Sequence, residues 1–299
     1  MRVVRIPAFA KVNLSLDILG KRPDGYHELR TVYQTVSLHD DLTFRPYPGR
    51  RIHLEIRGDP ALQREAPERN LAYRAADALR RECKIGSGVH ILLEKRIPAG
   101  AGLGGGSSDA AAALIGCARF LRRKVPAAVL IEIAASLGSD VPFFLLGGRA
   151  LGIGRGEEVY PLPDIPRRSI LVVSPSGVSV PTADAYRWLG LQLTKRPNPS
   201  TLWKFCALCW SSQGSGLSND FESAVFRRIP RLAAIKREML RRGAAEAALA
   251  GSGSAVFGVF RNPAQARRAA QGFLKDQTFV CETLSRERYR RALNLRAVV

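Results

Sequence analysis

The stretch Pro98-Ala-Gly-Ala-Gly-Leu-Gly-Gly-Gly-Ser-Ser-Asp-Ala-Ala-Ala112 places five glycines before two serines, an aspartate and an alanine-rich segment. Glycines at this density allow a backbone to approach a ligand closely and to turn its N–H groups inward. The alanine-rich segment predicts a helix over 109–121, and the first-turn N–H groups and dipole of a helix favour a bound anion. The hydroxyls of Ser107 and Ser108 suit either a helix cap or an anion contact. The stretch therefore predicts a phosphate-binding loop joined to a helix.

Three better-known glycine motifs do not account for this loop. Gly100, Gly102 and Gly105 satisfy the dinucleotide pattern, but the acidic residue expected roughly twenty residues later is missing from 122–128. A P-loop requires lysine after its last glycine, where this chain has Ser107. A protein-kinase loop requires H-R-D and D-F-G further along, and the sequence contains neither. A flexible linker is disfavoured because the loop lies between a predicted strand and the helix.

The chain of 299 residues has 46 lysines and arginines against 26 acidic residues, a formal net charge of +20. Such an excess indicates either a polyanionic partner or an arginine-rich composition spread over a solvated surface. Arginine pairs are scattered along the whole chain, which favours the second explanation. A non-enzymatic RNA-binding protein stays an alternative, but it predicts clustered basic residues interleaved with aromatic ones.

The cysteines and the hydropathy pattern indicate a reduced, membrane-free setting. Five cysteines, an odd number, argue against a disulfide framework. Cys206 and Cys209 form a C-x-x-C within an apolar stretch, without a second pair at zinc spacing, so buried thiols are favoured. No apolar run approaches the ~20 residues that span a bilayer, and Lys11 interrupts the N-terminal apolar stretch. We expect a cytoplasmic protein.

Hydrophobic and polar residues alternate over 9–18, which predicts a half-buried strand with Lys11 and Asn13 on its polar face. Further strands are predicted at 31–38, 42–44, 52–56, 169–173, 255–260 and 279–283. Helices are predicted at 70–83, 126–137, 181–189, 219–226, 230–242 and 263–275. Because strands and helices mix without a strict β-α-β rhythm, the order predicts an α+β fold. A cluster of three prolines predicts a boundary between domains at 1–162 and 163–299.

The motifs together resemble the GHMP family of small-molecule kinases. Its glycine-serine phosphate loop is similar to 98–112, and its C-terminal glycine motif is similar to Gly251-Ser-Gly-Ser-Ala-Val-Phe257. Within the family, the chain resembles the branch that acts on a CDP-linked methylerythritol in non-mevalonate isoprenoid biosynthesis. The segments that carry this resemblance are 8–16, 22–29, 138–144, 154–157, 177–182 and 218–222. The chain departs from many relatives in reading Gly-Ser-Gly-Ser where they have Gly-Thr-Gly-Ala.

The resemblance implies a two-domain GHMP kinase fold with the active site in the cleft between the domains. It implies transfer of a phosphoryl group from ATP, with Mg²⁺, to the 2-hydroxyl of that substrate. Lys11 and Asp140 match the catalytic pair: a carboxylate in reach of the hydroxyl accepts its proton, and a cation keeps that carboxylate ionised. The alternatives are a helix cap for Asp140 and a surface lysine for Lys11. The metal ligands stay open.

The binding residues that the resemblance implies fall into two groups. The ATP-binding group comprises Pro98, Ala99, Gly100, Ala101, Gly102, Leu103, Gly104, Gly105, Gly106, Ser107, Ser108, Asn70 and Lys95. The substrate-binding group comprises Asn13, Tyr26, His27, Tyr33, Thr182 and Tyr186. The three tyrosines are expected around the cytosine, because aromatic faces stack on pyrimidines. The aromatic set disfavours the other candidate within the family, a mevalonate or homoserine kinase.

Overall fold

The computed structural model describes residues 3–190 and 216–295. Its strands are, in chain order, β1 (Val4–Lys21), β2 (His27–Tyr47), β3 (Ile52–Arg57), β4 (Gly88–Glu94), β5 (Arg149–Gly154), β6 (Glu158–Pro161), β7 (Ser169–Ser174), β8 (Ser218–Asn219), β9 (Glu246–Leu249), β10 (Val256–Phe260) and β11 (Gln277–Glu282). Its helices are α1 (Pro60–Gln63), α2 (Leu71–Glu82), α3 (Gly105–Phe120), α4 (Ala127–Leu137), α5 (Val141–Leu146), α6 (Thr182–Gly190), α7 (Phe221–Arg228), α8 (Pro230–Arg241), α9 (Pro263–Ala270) and α10 (Arg286–Ala292).

The described strands form two sheets, which confirms the α+β prediction. In the first, β3, β4, β2, β1 and β8 lie side by side, and β5 pairs with β2 and with β6. In the second, the order is β11-β7-β10-β9. Strands β1 and β2 pair antiparallel along most of their length, with three register shifts. These two long strands form the floor on which the candidate site is built.

Strand β2 is one continuous strand, where the sequence predicted two. The residues between the two predicted strands, His39, Asp40 and Asp41, are polar. In the structure, Asp40 is buried and accepts hydrogen bonds from the backbone N–H groups of Arg96 and Ile97. Because these donors satisfy the carboxylate, the strand continues through the polar run.

The polar face of β1 is buried, so the prediction of a half-buried strand is wrong. Lys11 is 4% exposed, Asn13 1% and Ser15 4%. The alternation correctly predicted which side chains share a face. It did not reveal that protein also covers the polar face, because period-two patterning reports polarity and not what lies above the strand.

Helix α3 packs against the first sheet over a face of small residues. Its side chains from Ser108 to Ala118 are all buried. A Cβ on Gly116 would lie 2.1 Å from the ring of Phe44 in β2, so only glycine fits at this crossing. The close approach of helix and sheet places the N-terminal end of α3 at the β1–β2 floor.

The predicted domain division at residue 162 stays a prediction. The second sheet and helices α6 to α9 have their own core, which also includes Leu16 and Ile18 of β1. In the other direction, Tyr289 of α10 belongs to the core beneath the first sheet. Residues on each side of the predicted boundary thus contribute to the core of the other side.

None of the described helices is long and apolar enough to cross a membrane. Cys83, Cys117 and Cys281 are free thiols. The predicted buried thiols Cys206 and Cys209 lie outside the described residues, as does most of the segment 194–216.

Candidate active site

A cleft of about 1210 Å³ opens between the first sheet, the glycine loop and helix α6. All of the residues that the sequence nominated as catalytic or binding line this cleft, with the exception of Ser108. Ser108 is 1% exposed, and its Oγ has no hydrogen-bond partner in the described part of the chain. The fold therefore brings together residues from at least five separate sequence segments.

Helix α3 begins at Gly105, which is earlier than the predicted start at 109. Gly104 is its N-cap residue, in the left-handed region at φ +72°, and no side chain caps the helix. Of the two alternatives for Ser107 and Ser108, the helix cap fails, because both residues lie inside the first turn. Gly105, Gly106 and Ser107 of that uncapped turn line the cleft, and an uncapped helix N-terminus at a cleft is the usual arrangement of an anion site.

The phosphate-binding loop at 98–104, called the glycine loop below, packs directly against the turn at 251–254, called the Gly251 turn. The backbone N–H of Ala255 donates to the carbonyl of Ala101 at 3.1 Å. A Cβ on Gly102 would lie 1.9 Å from the carbonyl oxygen of Ala250, and its φ is +78°. Both steric space and backbone conformation therefore require glycine at 102.

Lys11 and Asp140 form an ion pair at the floor of the cleft. The distance from Lys11 Nζ to Asp140 Oδ2 is 3.4 Å, and the Lys11 side chain is 5% exposed against 31% for Asp140. Lys11 Nζ also donates to Asn13 Oδ1 at 2.7 Å, and Asn13 Nδ2 donates to Thr31 Oγ1 at 2.7 Å. The alternative of a surface lysine is excluded. The chain of hydrogen bonds holds the ammonium beside the carboxylate.

Asp140 precedes α5 but does not cap it. It adopts αR backbone angles, and its side chain makes no cap hydrogen bond. Its Oδ1 instead accepts a hydrogen bond from the Tyr33 hydroxyl at 2.9 Å. The helix-cap alternative therefore fails on geometry, and the carboxylate is available within the cleft.

Tyr33 differs from the expectation that it stacks on a pyrimidine. Its side chain is 1% exposed, and its ring stacks on Phe143 with centroids 4.7 Å apart. The Tyr33 hydroxyl meets Asp140, and Lys11 Nζ lies over the ring, 5.6 Å from its centroid. Burial, and then the charge of Asp140, raises the pKa of Tyr33 well above its ordinary value, so the hydroxyl keeps its proton.

The far end of the cleft is aromatic. The rings of His27 and Tyr186 are stacked with centroids 4.4 Å apart and 16° between their planes, and Tyr186 meets Phe221 edge-on. Burial, and then the charge of Lys21, lowers the pKa of His27. Burial, and then the charge of Asp140, raises the pKa of Tyr186 to about 12. Both rings are therefore neutral at pH 7.

Tyr26 stands at the rim, 55% exposed, with the Arg155 guanidinium 4.8 Å from its ring centroid. The sequence analysis did not nominate Arg155, although it lies in the quoted segment 154–157. Further basic residues line the cleft without having been nominated, namely Lys21, Arg69 and Arg187. A sequence with scattered arginines offers no signal that separates these from the rest of the surface.

The Gly251 turn and helix α6 meet through two hydroxyls. Thr182 Oγ1 and Ser252 Oγ are 3.1 Å apart, and both side chains line the cleft. Asn219 Nδ2 donates to the carbonyls of Leu249 at 2.8 Å and Gly251 at 2.7 Å. The segment 218–222 thus holds the Gly251 turn in place through the side chain of Asn219.

Asn70 and Lys95, two members of the predicted ATP-binding group, already make contacts within the protein. Asn70 caps α2, accepting a hydrogen bond from the N–H of Ala72 at 2.9 Å. The Lys95 ammonium donates to Asp40 at 2.5 Å and to Asp109 at 2.7 Å. Both residues line the cleft, so their contact with a nucleotide stays a prediction, but the charge of Lys95 is already paired.

Comparison with known proteins identifies the family. A model of the GHMP kinases N terminal domain matches residues 70–148, and a model of the GHMP kinases C terminal domain matches 201–276. A 4-diphosphocytidyl-2-C-methyl-D-erythritol kinase of Solibacter usitatus is 45% identical over 294 residues, covering 97% of this chain and 91% of the relative.

Solved structures agree with this result. A crystal structure of 4-(cytidine 5'-diphospho)-2C-methyl-D-erythritol kinase is similar with a TM-score of 0.77 and 37% identity, covering 93% of this chain and 98% of that one. A homoserine kinase from Cytophaga hutchinsonii shares the fold alone, at a TM-score of 0.68 and 19% identity, with 95% of each chain covered. The chain belongs to the GHMP kinase family and, within it, to the 4-diphosphocytidyl-2-C-methyl-D-erythritol kinases.

Proposed function

We propose that the chain transfers the γ-phosphoryl group of ATP to the 2-hydroxyl of 4-diphosphocytidyl-2-C-methyl-D-erythritol. The reaction is a step of non-mevalonate isoprenoid precursor biosynthesis, and we expect it in the cytoplasm. The observation that carries the proposal is the position of the Lys11–Asp140 pair in the same cleft as the glycine loop and the aromatic end. This arrangement suits one phosphate donor and one aromatic-bearing acceptor at the same time.

The glycine loop suits the ATP phosphates. Gly100, Gly102 and Gly104 have positive φ angles, and the uncapped first turn of α3 follows them. Peptide N–H groups in such a turn bind phosphate oxygens, and the helix dipole adds to the attraction. Ser107 lines the cleft beside them, so its hydroxyl is placed to donate to a phosphate oxygen.

The aromatic end suits the cytosine. His27 and Tyr186 are neutral, stacked on each other and supported by Phe221. A pyrimidine gains about 1–3 kcal/mol from stacking on such a ring, and the His27 nitrogens add polar contacts. Tyr26 at the rim adds an exposed ring. Thr182, Ser252 and the basic residues Lys21 and Arg155 line the same cleft, and we assign the contacts with the diphosphate to them.

Asp140 and Lys11 handle the acceptor hydroxyl. Asp140 accepts the proton as the hydroxyl oxygen forms its bond to the γ-phosphorus and the bond from that phosphorus to the β,γ-bridging oxygen breaks. The products are ADP, the phosphorylated substrate and a proton, which Asp140 then releases to water. The Lys11 ammonium stabilises the negative charge that develops on the attacking oxygen. Asn13 holds that ammonium in place at 2.7 Å.

Mg²⁺ fits this site as an ion held largely by phosphates. Within residues 3–190 and 216–295, no three His, Cys, Asp or Glu side chains form a metal-binding group. Asp109 lines the cleft at the start of α3, and its Oδ1 is buried without a hydrogen-bond partner among the described residues. A carboxylate oxygen is a hard ligand of the kind that Mg²⁺ accepts. When bound, Mg²⁺ neutralises phosphate charge.

A substrate panel tests the proposal. We expect the purified chain, with ATP and Mg²⁺, to produce ADP with the CDP-linked methylerythritol and not with mevalonate or homoserine. Turnover with either of the latter alone would overturn the substrate assignment while retaining kinase chemistry. Tight RNA binding without any ADP production would favour the non-enzymatic alternative.

A further inference from the structure

We propose that Tyr33 is a positioning residue for Asp140, whose carboxylate its hydroxyl orients toward Lys11 and the acceptor hydroxyl, and that Tyr33 does not bind the pyrimidine. The inference rests on the proposed function, in which Asp140 accepts the proton. It replaces the expected stacking role of Tyr33 with an action through another residue.

Two donors hold the two oxygens of Asp140. The Tyr33 hydroxyl donates to Oδ1 at 2.9 Å, and Lys11 Nζ lies 3.4 Å from Oδ2. The donors come from paired strands, in which Tyr33 lies opposite Asn13, so a single sheet register fixes both. Asp140 does not cap α5, so these two contacts set the direction in which its carboxylate points.

The structure reserves space for the phenol. A Cβ on Gly152 would lie 2.5 Å from the Tyr33 ring, and a Cβ on Gly156 would lie 2.5 Å from its hydroxyl. Phe143, two residues into α5, packs on the face of the same ring. Because the Tyr33 ring packs against the helix that Asp140 precedes, its hydroxyl stays within hydrogen-bond distance of the Asp140 carboxylate.

The hydroxyl has one proton and two candidate acceptors. Asp140 Oδ1 is at 2.9 Å and the carbonyl of Gly156 is at 3.4 Å. The shorter contact to an ionised acceptor is the stronger one. A pyrimidine bound in the cleft cannot stack on Tyr33, because the residue is 1% exposed and Phe143 covers a face of its ring.

The charged and titratable groups that face Asp140 are Lys11 from β1, Tyr33 from β2 and Tyr186 from α6. Loss of the Tyr33 donor removes a hydrogen bond that favours the ionised carboxylate. The loss also frees the carboxylate to rotate away from the acceptor, which slows the reaction more than it weakens binding.

The test is Tyr33→Phe, which keeps the ring and removes only the hydroxyl. We expect kcat to fall about tenfold or more, as for a lost hydrogen bond to a charged group. We expect the KM of the CDP-linked substrate to stay within about twofold, because the ring that packs beside Asp140 is kept and only the orientation of the carboxylate is lost. An unchanged kcat would overturn the proposal, and so would a raised KM with unchanged kcat.

Tyr289→Phe is the matched control. Tyr289 is also fully buried, and its hydroxyl donates to the carbonyl of Phe144 in the same helix α5. It makes no described contact with Asp140, so we expect a lower Tm with unchanged kcat. An equal fall in kcat in both variants would show that disturbed packing of α5 alone accounts for the slower reaction of Tyr33→Phe.

A second measurement separates this proposal from the proposed function. The carboxyl ¹³C chemical shift of Asp140, assigned through Asp140→Asn, is compared by NMR between the wild type and Tyr33→Phe at one pH. We expect it to change in the variant whatever the substrate is, because the hydrogen bond to Oδ1 is lost, and an unchanged shift would overturn the positioning role. If the wild type fails on the CDP-linked substrate, only the proposed function fails.

Discussion

The ammonium of Lys95 lies 2.7 Å from the carboxylate of Asp109, beneath the first turn of the helix that follows the glycine loop. The same ammonium lies 2.5 Å from Asp40, and all three side chains are at most 4% exposed. Asp40 also accepts from two backbone N–H groups in the segment leading to the loop. One lysine thus ties β2, β4 and α3 together at the place where the loop is anchored.

We predict that Lys95→Met destabilises the fold by about 3–5 kcal/mol, because it leaves two buried carboxylates without their cation. Urea unfolding followed by circular dichroism measures the change. Lys236→Met is the control, since its half-buried pair with Glu222 is expected to contribute about 1 kcal/mol or less. Equal losses in the two variants would show that Lys95 does not anchor the loop.

Asp109 predicts a pH dependence of stability. Burial, opposed by Lys95 and reinforced by Asp40, raises the pKa of Asp109 to about 7 from an ordinary value of 3.8. Between these values the native state binds more protons than the unfolded state, so this group's contribution to stability falls as pH rises. The amide in Asp109→Asn does not titrate, so the variant does not lose this contribution to stability as pH rises. We therefore expect its stability relative to wild type to increase from pH 4.5 to pH 7 in urea unfolding, and a constant difference would contradict the raised pKa.

Gly102→Ala tests the contact between the loop and the Gly251 turn. Gly100 and Gly102 both have positive φ, so alanine costs about 1–2 kcal/mol of backbone strain at either position. At Gly102 the new Cβ would also meet the Ala250 carbonyl at 1.9 Å, whereas at Gly100 it meets only Ser179 Oγ at 3.8 Å. We expect Gly102→Ala to raise the KM for ATP more than Gly100→Ala does, as measured by steady-state kinetics. An equal rise in the KM for ATP in both variants would show that the positive φ angle, and not the contact with Ala250, requires glycine at 102.

Asp140→Asn tests the proton acceptor. The amide keeps the size of the side chain but cannot take a proton, so we expect kcat to fall about 10²–10⁴-fold. Asp140 does not cap α5, so the helix should still form. The buried Lys11 ammonium loses its counter-charge, however, so Tm should fall. Asp184→Asn is the control, since Asp184 has the same 31% exposure and pairs with Arg187. A near-normal kcat in Asp140→Asn would remove Asp140 from the chemistry.

Elements with strong local patterns were predicted well, and those defined by long-range contacts were not. Helix α4 was expected at 126–137 and found at Ala127–Leu137, ended by Gly138, because proline and glycine act locally. Strands β5, β6 and β9 and helix α10 were missed. Strand β5, for example, is held by pairing with β2, a contact between segments far apart in the chain.

The sequence predicted which residues line the cleft, but it did not predict their geometry. The motifs nominated Lys11, Asp140 and the loop residues, and the fold brings them to one cleft. The sequence also nominated Tyr33, but its ring is buried and only its hydroxyl reaches Asp140. A motif records which residue type is needed, and it carries no information on which atom of the side chain faces the cleft.

The sequence by itself determined the glycine loop, the helix after it and the family, because glycine conformations, helix propensity and motif order are properties of the chain. Only the tertiary structure decided that Lys11 meets Asp140 and that the charge of Lys95 is paired with a buried carboxylate. Each of these pairings joins different elements whose approach depends on sheet register and helix packing. Those are set by the whole core and not by the local sequence.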